Sequence, residues 1–149
     1  MHLKHGMWVV VADGARALVL ENRGSALEPR LALVREYDQR VPRSHELGRD
    51  RPGRAFESVG TRRSGVEAPD LHERQEAQFL EGLAQDLAAD AASEAFEQLA
   101  VVAPPVALGV LRGAFDKPLS SRVAAWIDKD LTKHRIEDIA AAVETALQH

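Results

Sequence analysis

The sequence predicts a single α/β domain over residues 1–149, with a mixed β-sheet and the element order βββαβαβα. Short apolar runs separated by turn dipeptides fill the first quarter of the chain, which is typical of antiparallel strands. After residue 69, apolar residues recur at helical spacing in three segments, and two short apolar runs lie between those segments, as in βαβ units. A chain of 149 residues, of which 45% are hydrophobic, is enough for one domain of ordinary size.

Three strands are expected in the first part of the chain. The apolar run at 7–12 ends at Asp13-Gly14, a dipeptide that favours a tight hairpin turn. Residues 16–21 form the return strand, and residues 31–37 supply a third strand after a second turn. A regular third strand would carry Leu31, Leu33 and Arg35 on one face and Ala32, Val34 and Glu36 on the other.

A long loop is expected at 39–69, because apolar residues are sparse there and Arg, Gly, Pro, Ser and Glu dominate. Asp70 has Glu73 three positions on, which is the spacing of a capping box with Asp in place of Ser or Thr. The first helix is therefore predicted to begin at Asp70. Its apolar stripe continues to about Ala92 or Phe96.

The rest of the chain predicts a strand, a helix, a strand and a helix. The wholly apolar run at 99–103 stops at two prolines, as expected of a central strand covered on both faces. A helix at 106–115, a fifth strand at 122–127 and a closing amphipathic helix at 136–147 follow. The first, fourth and fifth strands would form the parallel half of the sheet. This is the connectivity of the ribonuclease H-like fold, a three-layer arrangement with helices on both faces of the sheet.

The composition excludes several classes of protein. The chain has no cysteine, which rules out a disulfide framework, a thiol nucleophile and a thiolate metal site, and suits a reducing compartment. No apolar run approaches the roughly 20 residues of a membrane span, and Asp13 interrupts the N-terminal segment before a signal-peptide core could form. We therefore expect a cytoplasmic protein without a membrane span.

Catalytic signatures are incomplete. A ribonuclease H-like nuclease holds two divalent metal ions with a cluster of carboxylates. Asp13 at the end of the first strand and Glu73 on the first helix fill two of three positions, but the fourth strand ends in VAPP, without an acid. A turn residue and a helix cap explain both acids locally. The histidines lack metal-ligand spacing, and neither an elbow serine nor a P-loop occurs, so we expect no enzyme, no metal and no cofactor.

One segment concentrates positive charge. Of the 15 Arg in the chain, seven lie between residues 40 and 63 against three acids, so this segment carries +4 while the whole chain carries −4. Guanidinium groups bind phosphate in bidentate geometry, and an aromatic side chain can stack on a base. The candidate binding residues for a nucleic acid or another partner are Arg40, Arg43, Arg49, Arg51, Arg54, Phe56, Arg62 and Arg63.

Three interpretations of this Arg-rich segment stay open. It binds a phosphate-rich partner, most naturally RNA or the ribosome; it docks on an acidic protein or a second copy of the chain; or it is a solvated loop whose Arg pair with neighbouring acids. A loop longer than roughly 12–15 residues inside a compact domain is usually functional or disordered, so solvation alone is not favoured.

Four segments carry a family resemblance: WVVVADGARA from Trp8, RDRPGRAFESVGTRRSGVE from Arg49, VVAPPVALGVLR from Val101 and IDKDLTKH from Ile127. Through them the chain resembles the bacterial host attachment protein family, described as required for attachment to host cells. The resemblance spans nearly the whole chain. It implies similarity to the central domain of archaeal and eukaryotic class 1 peptide chain release factors, itself a ribonuclease H-like fold.

In those release factors, the loop after the third strand carries a Gly-Gly-Gln motif that enters the ribosomal peptidyl transferase centre. Here Gln39 and Gln75 flank the loop, but neither follows a glycine pair. The resemblance therefore predicts a non-catalytic binding protein that contacts RNA or the ribosome through the Arg-rich loop. The alternative is an attachment factor whose loop docks on an acidic protein or a cell-surface partner.

Overall fold

The computed structural model describes residues 2–39 and 64–148, with side chains from residue 71 onwards in the second range. Its strands and helices, in chain order, are β1 (Trp8–Ala12), β2 (Arg16–Asn22), β3 (Leu31–Asp38), α1 (Ser64–Ala92), β4 (Leu99–Ala103), α2 (Pro105–Ala114), α3 (Lys117–Ser120), β5 (Val123–Asp128) and α4 (Ile136–Leu147). In these ranges no helix combines the length and apolarity that crossing a bilayer requires.

The strands form one five-stranded mixed sheet in the order β3-β2-β1-β4-β5. β2 runs antiparallel to both β1 and β3, whereas β4 runs parallel to both β1 and β5. The predicted antiparallel meander and the predicted parallel pairing of the first, fourth and fifth strands are therefore both present.

The two central strands divide the core into two halves. Every residue of β1 and β4 is buried, as their uninterrupted apolar sequences indicate. Because side chains alternate along a strand, Val10 and Val101 pack under α1 and α2, whereas Val9 and Val102 pack under α4. Helices thus cover both faces of the sheet, giving three layers.

The first helix begins earlier than predicted. α1 starts at Ser64. The prediction of a capping box at Asp70 and Glu73 is therefore wrong, and Glu73 lies well inside the helix. The apolar stripe on which the prediction rested starts only after Pro69, because the first turns of a helix need not face a core. The predicted end at Ala92 is confirmed.

The third strand departs from regular alternation at a β-bulge. Leu33 pairs with Leu20 and Arg35 pairs with Val19, which leaves Val34 as an extra residue. The extra residue exchanges the two faces of the strand. Leu31 consequently packs in the core under α4, whereas Tyr37 packs in the core under α1, and the prediction that Arg35 shares a face with Leu31 and Leu33 is wrong.

A short helix, α3, was not predicted, so the observed order is βββαβααβα. The Asp116 side chain caps it by accepting a hydrogen bond of 2.9 Å from the Leu119 backbone N–H. Pro118 lies in its first turn, where proline suits a helix. An Asp two residues before a Pro was the sequence signal for this element.

A polar network holds α1 against the edge strand β3. The Tyr37 hydroxyl donates to Asp86 at 2.6 Å and accepts from Arg35 Nε at 2.9 Å. Arg35 also donates to Asp90 at 2.5 Å. Burial and the hydrogen bond to Asp86 raise the pKa of Tyr37 well above its usual range, and the hydrogen bond to Asp90 raises the pKa of Arg35. The tyrosine hydroxyl and the guanidinium therefore keep their protons.

Replacing Tyr37 with Phe tests this network. The ring stays while both hydrogen bonds of the hydroxyl are lost, so we expect the free energy of unfolding to fall by about 1–2 kcal/mol in urea denaturation at pH 7. Glu36→Gln is the matched control, because Glu36 forms only an exposed pair with Arg16 and should change stability by less than about 0.5 kcal/mol. Equal stability of Y37F and the wild type would contradict a stabilising role for the hydroxyl.

Candidate functional site

The predicted binding residues cannot be placed individually, because residues 40–63 lie outside the described ranges. This applies to Arg40, Arg43, Arg49, Arg51, Arg54, Phe56, Arg62 and Arg63. The predicted loop at 39–69 is wrong for residues 64–69, which belong to α1, while Gln39 lies in a turn after β3.

The structure shows the position of Gln39, the last described residue before the Arg-rich segment 40–63. The Gln39 backbone N–H donates to the Ala15 carbonyl at 2.7 Å, and its side-chain Nε2 donates to the Gln75 carbonyl at 3.0 Å. Gln39 and Gln75, which flank the loop in sequence, are thus brought together. These bonds join the end of β3 to the β1–β2 turn and to α1.

Asp13 organises the β1–β2 turn. Its Oδ1 accepts hydrogen bonds from the backbone N–H groups of Ala15 and Arg16, both at 2.8 Å, which confirms its predicted role as a turn residue. Its Oδ2 accepts from the Thr132 hydroxyl, also at 2.8 Å. Thr132 is buried and lies between β5 and α4, so this bond ties the end of β1 to a segment 119 residues further along the chain.

These partners keep the Asp13 carboxylate ionised. Burial alone would raise its pKa, but the donors on Ala15, Thr132 and Arg16, with the charge of Arg16, hold the pKa below its ordinary value of 3.8. Both carboxylate oxygens already accept hydrogen bonds from the protein. In the described part of the chain, no group of three or more His, Asp and Glu side chains could hold a metal ion.

A cleft opens beside this turn, between α1 and α2. Its volume is about 610 Å³. We call it the α1–α2 cleft; it is lined by Gly14, Glu73, Glu76, Ala77, Leu80, Pro104, Val106, Ala107 and Val110. Its floor is apolar, and the two glutamates are the charged residues among those of the described chain that line it.

Glu76 lies directly over the β1–β2 turn. A Cβ atom added at Gly14 would come within 2.7 Å of Glu76 Cδ, so only glycine permits this approach without movement of the glutamate. His72, one helical turn earlier, is 3.2 Å from Glu76 Oε2 and forms an ion pair with it when protonated. Glu73 is exposed at the rim of the cleft.

Sequence reasoning missed Thr132, Glu76 and the cleft itself. Thr132 could have been noticed, because it belongs to one of the segments that carry the family resemblance. The Gly14–Glu76 contact has no local signal, since it depends on how α1 crosses the end of β1. The charged run at 128–130 is exposed at the end of β5.

Replacing Thr132 with Val tests the bond to Asp13. The substitution keeps the shape but removes the hydroxyl, so we expect a loss of about 1–2 kcal/mol in unfolding free energy at pH 7. Because the pKa of Asp13 is depressed in the folded state, the stability that it contributes is present above 3.8 and is lost as the pH falls through the folded-state value. The difference between T132V and the wild type should therefore shrink in acid.

The conservative variant Thr132→Ser keeps the hydroxyl and should retain most of this stability at neutral pH. A T132V deficit that is unchanged between neutral and strongly acid urea titrations would show that the cost comes from packing, not from the Asp13 bond.

The fold of this chain is similar to that of solved structures. Fourteen chains of solved structures match this chain. One is an archaeal translation termination factor, aRF1, with a TM-score of 0.50 and 12% sequence identity. The match covers 95% of this chain and 39% of that factor, so it shows a common fold and no more. It supports the predicted likeness to release factors at the level of fold.

Curated proteins provide no match. The family model described as "Bacterial archaeo-eukaryotic release factor family 12" matches residues 6–143, nearly the whole sequence, and the chain belongs to that family.

Proposed function

We propose that this chain is a non-catalytic, cytoplasmic binding protein that contacts ribosomal RNA through the Arg-rich segment 40–63. The observation that carries this proposal is the separation of charge. The segment holds a formal charge of +4, so the remaining residues together hold −8, against −4 for the whole chain. A chain that gathers cations on one segment while its body is acidic can meet a polyanion only through that segment.

The fold also supports the proposed contact with RNA. In the strand order β3-β2-β1-β4-β5, β2 alone runs against the other four strands. We assign this arrangement to the ribonuclease H-like class, in which the resemblance to release factors places a ribosome-directed loop after the third strand. The Arg-rich segment occupies that place in the chain, between Gln39 and α1.

Three observations support a binding role over a catalytic one. The sequence has no Gly-Gly-Gln motif to act in peptide release. Asp13 is the acid at the end of β1, and both its oxygens accept hydrogen bonds that stabilise the turn. At the end of β4, Pro104 and Val106 supply apolar side chains to the cleft. The host-attachment role implied by the resemblance stays a prediction about the biological setting.

Replacing Arg49, Arg51 and Arg54 with Ala together tests the RNA contact. Ribosomes should co-sediment with the wild-type protein at about 50 mM salt and release it towards about 200 mM, because phosphate contacts release counterions. The triple variant should bind at least about tenfold more weakly, with a salt slope reduced by about 2.

The matched control replaces Arg23, Arg74 and Arg135, which are exposed in the described body, with Ala. This control variant also loses three positive charges, but outside the Arg-rich segment, and should bind ribosomes like the wild type. Equal weakening by both triple variants, or no co-sedimentation of the wild type at low salt, would reject the proposal. A complex that survives nuclease treatment would instead favour a protein partner for the segment.

A further inference from the structure

We propose that the α1–α2 cleft docks a basic segment of a partner protein, with an aliphatic side chain on the cleft floor and a Lys or Arg side chain at the rim. This inference goes beyond the proposed RNA contact, because it concerns another surface and another class of partner. It rests on the shape, polarity and charge of the cleft.

The floor of the cleft suits an aliphatic side chain. The floor is lined by Leu80, Ala107 and Val110. Val106 lies at its edge with 78% of its surface exposed. Val106 is one of four large apolar residues exposed in the described part of the chain, and the other three, Leu27, Leu33 and Val34, belong to β3 and the turn before it. Val106 extends the apolar floor to the edge of the cleft, and concave, mostly apolar surfaces with a few polar groups are typical of binding sites.

The rim of the cleft suits a cation. Among the described residues that line it, Glu73 and Glu76 are the charged ones and none is basic. Glu73 is exposed, and the Glu76 side chain lies over Gly14. An arriving Lys or Arg would meet two carboxylates beside an apolar floor, an environment that strengthens a charge pair.

The same charges exclude RNA from this surface. Phosphate groups would approach two glutamates on a body whose formal charge is −8 without residues 40–63. Like-charge contact costs affinity and directs a polyanion elsewhere. The volume of about 610 Å³ is large enough for more than one side chain, which favours a peptide segment over an isolated ion.

The test is an NMR titration of the full-length ¹⁵N-labelled protein with a defined peptide, acetyl-Arg-Leu-Leu-Arg-amide. We expect the amides of Gly14, Ala77, Val106, Ala107 and Val110 to shift with saturation at millimolar peptide or below. The charge-reversed peptide, acetyl-Glu-Leu-Leu-Glu-amide, should leave these amides unchanged. No RNA is present in this titration, so its outcome is independent of the ribosome co-sedimentation. Either experiment can fail without changing the result expected from the other.

Two variants locate the peptide on the cleft. Val106→Arg places a cation at the exposed edge and should weaken binding about fivefold or more, while Leu27→Arg, at an exposed apolar residue elsewhere, should not. Glu73→Gln with Glu76→Gln should weaken binding about three- to tenfold. Glu81→Gln, on an exposed position of the same helix outside the cleft, is the matched control.

Several results would overturn the proposal. These are an absence of cleft shifts at peptide concentrations of about 5 mM, equal shifts with the acidic peptide, or equal weakening by E81Q. A variant lacking Arg49, Arg51 and Arg54 that binds the peptide about tenfold more tightly would also overturn it, since the occupant would then be the chain's own segment.

Discussion

β1 and β4 run side by side with every residue buried, so neither strand can leave either face of the sheet open to water. This requirement places α1 and α2 on one face and α4 on the other. Parallel pairing also sets which ends meet: Asp13 after β1 and Pro104 after β4 lie at the same edge of the sheet. The β1–β2 turn, the α1–α2 cleft and Gln39 at the end of β3 all belong to that edge.

Polar groups at this edge divide into two kinds. Asp13 satisfies its carboxylate with backbone donors and with the buried Thr132, so its charge stabilises the fold. Glu73 and Glu76 instead line an open cleft, where their charges are available to a partner. A carboxylate with all its oxygens bonded inside the protein is poorly suited to a metal or a substrate, whereas one at a cleft rim is available to either a solvent cation or a ligand.

Local patterns were sufficient to predict the strands and most helices, because apolar runs and turn residues report directly on burial. Local patterns did not predict two features. One is the bulge at Val34, which moves Tyr37 to the face of α1, and the other is the start of α1 at Ser64. The Arg-rich segment was identified from its charge, and its residues lie outside the described ranges. The Asp13–Thr132 bond was not predictable, because it joins residues far apart in sequence that only the sheet order brings together.

Opposite charges on two parts of one sequence have a consequence for how such a protein can bind. Residues 40–63 carry a formal charge of +4 and the remaining residues −8, while Gln39, just before the segment, is hydrogen-bonded to Ala15 and Gln75. A polyanion is attracted by the charge of the segment and repelled by the charge of the remaining residues. Screening at physiological salt acts over about 8 Å, so repulsion matters only for the nearest carboxylates, which at the cleft are Glu73 and Glu76. In the proposed contact with RNA, the acidic rim of the cleft would therefore repel phosphate groups from this part of the described body.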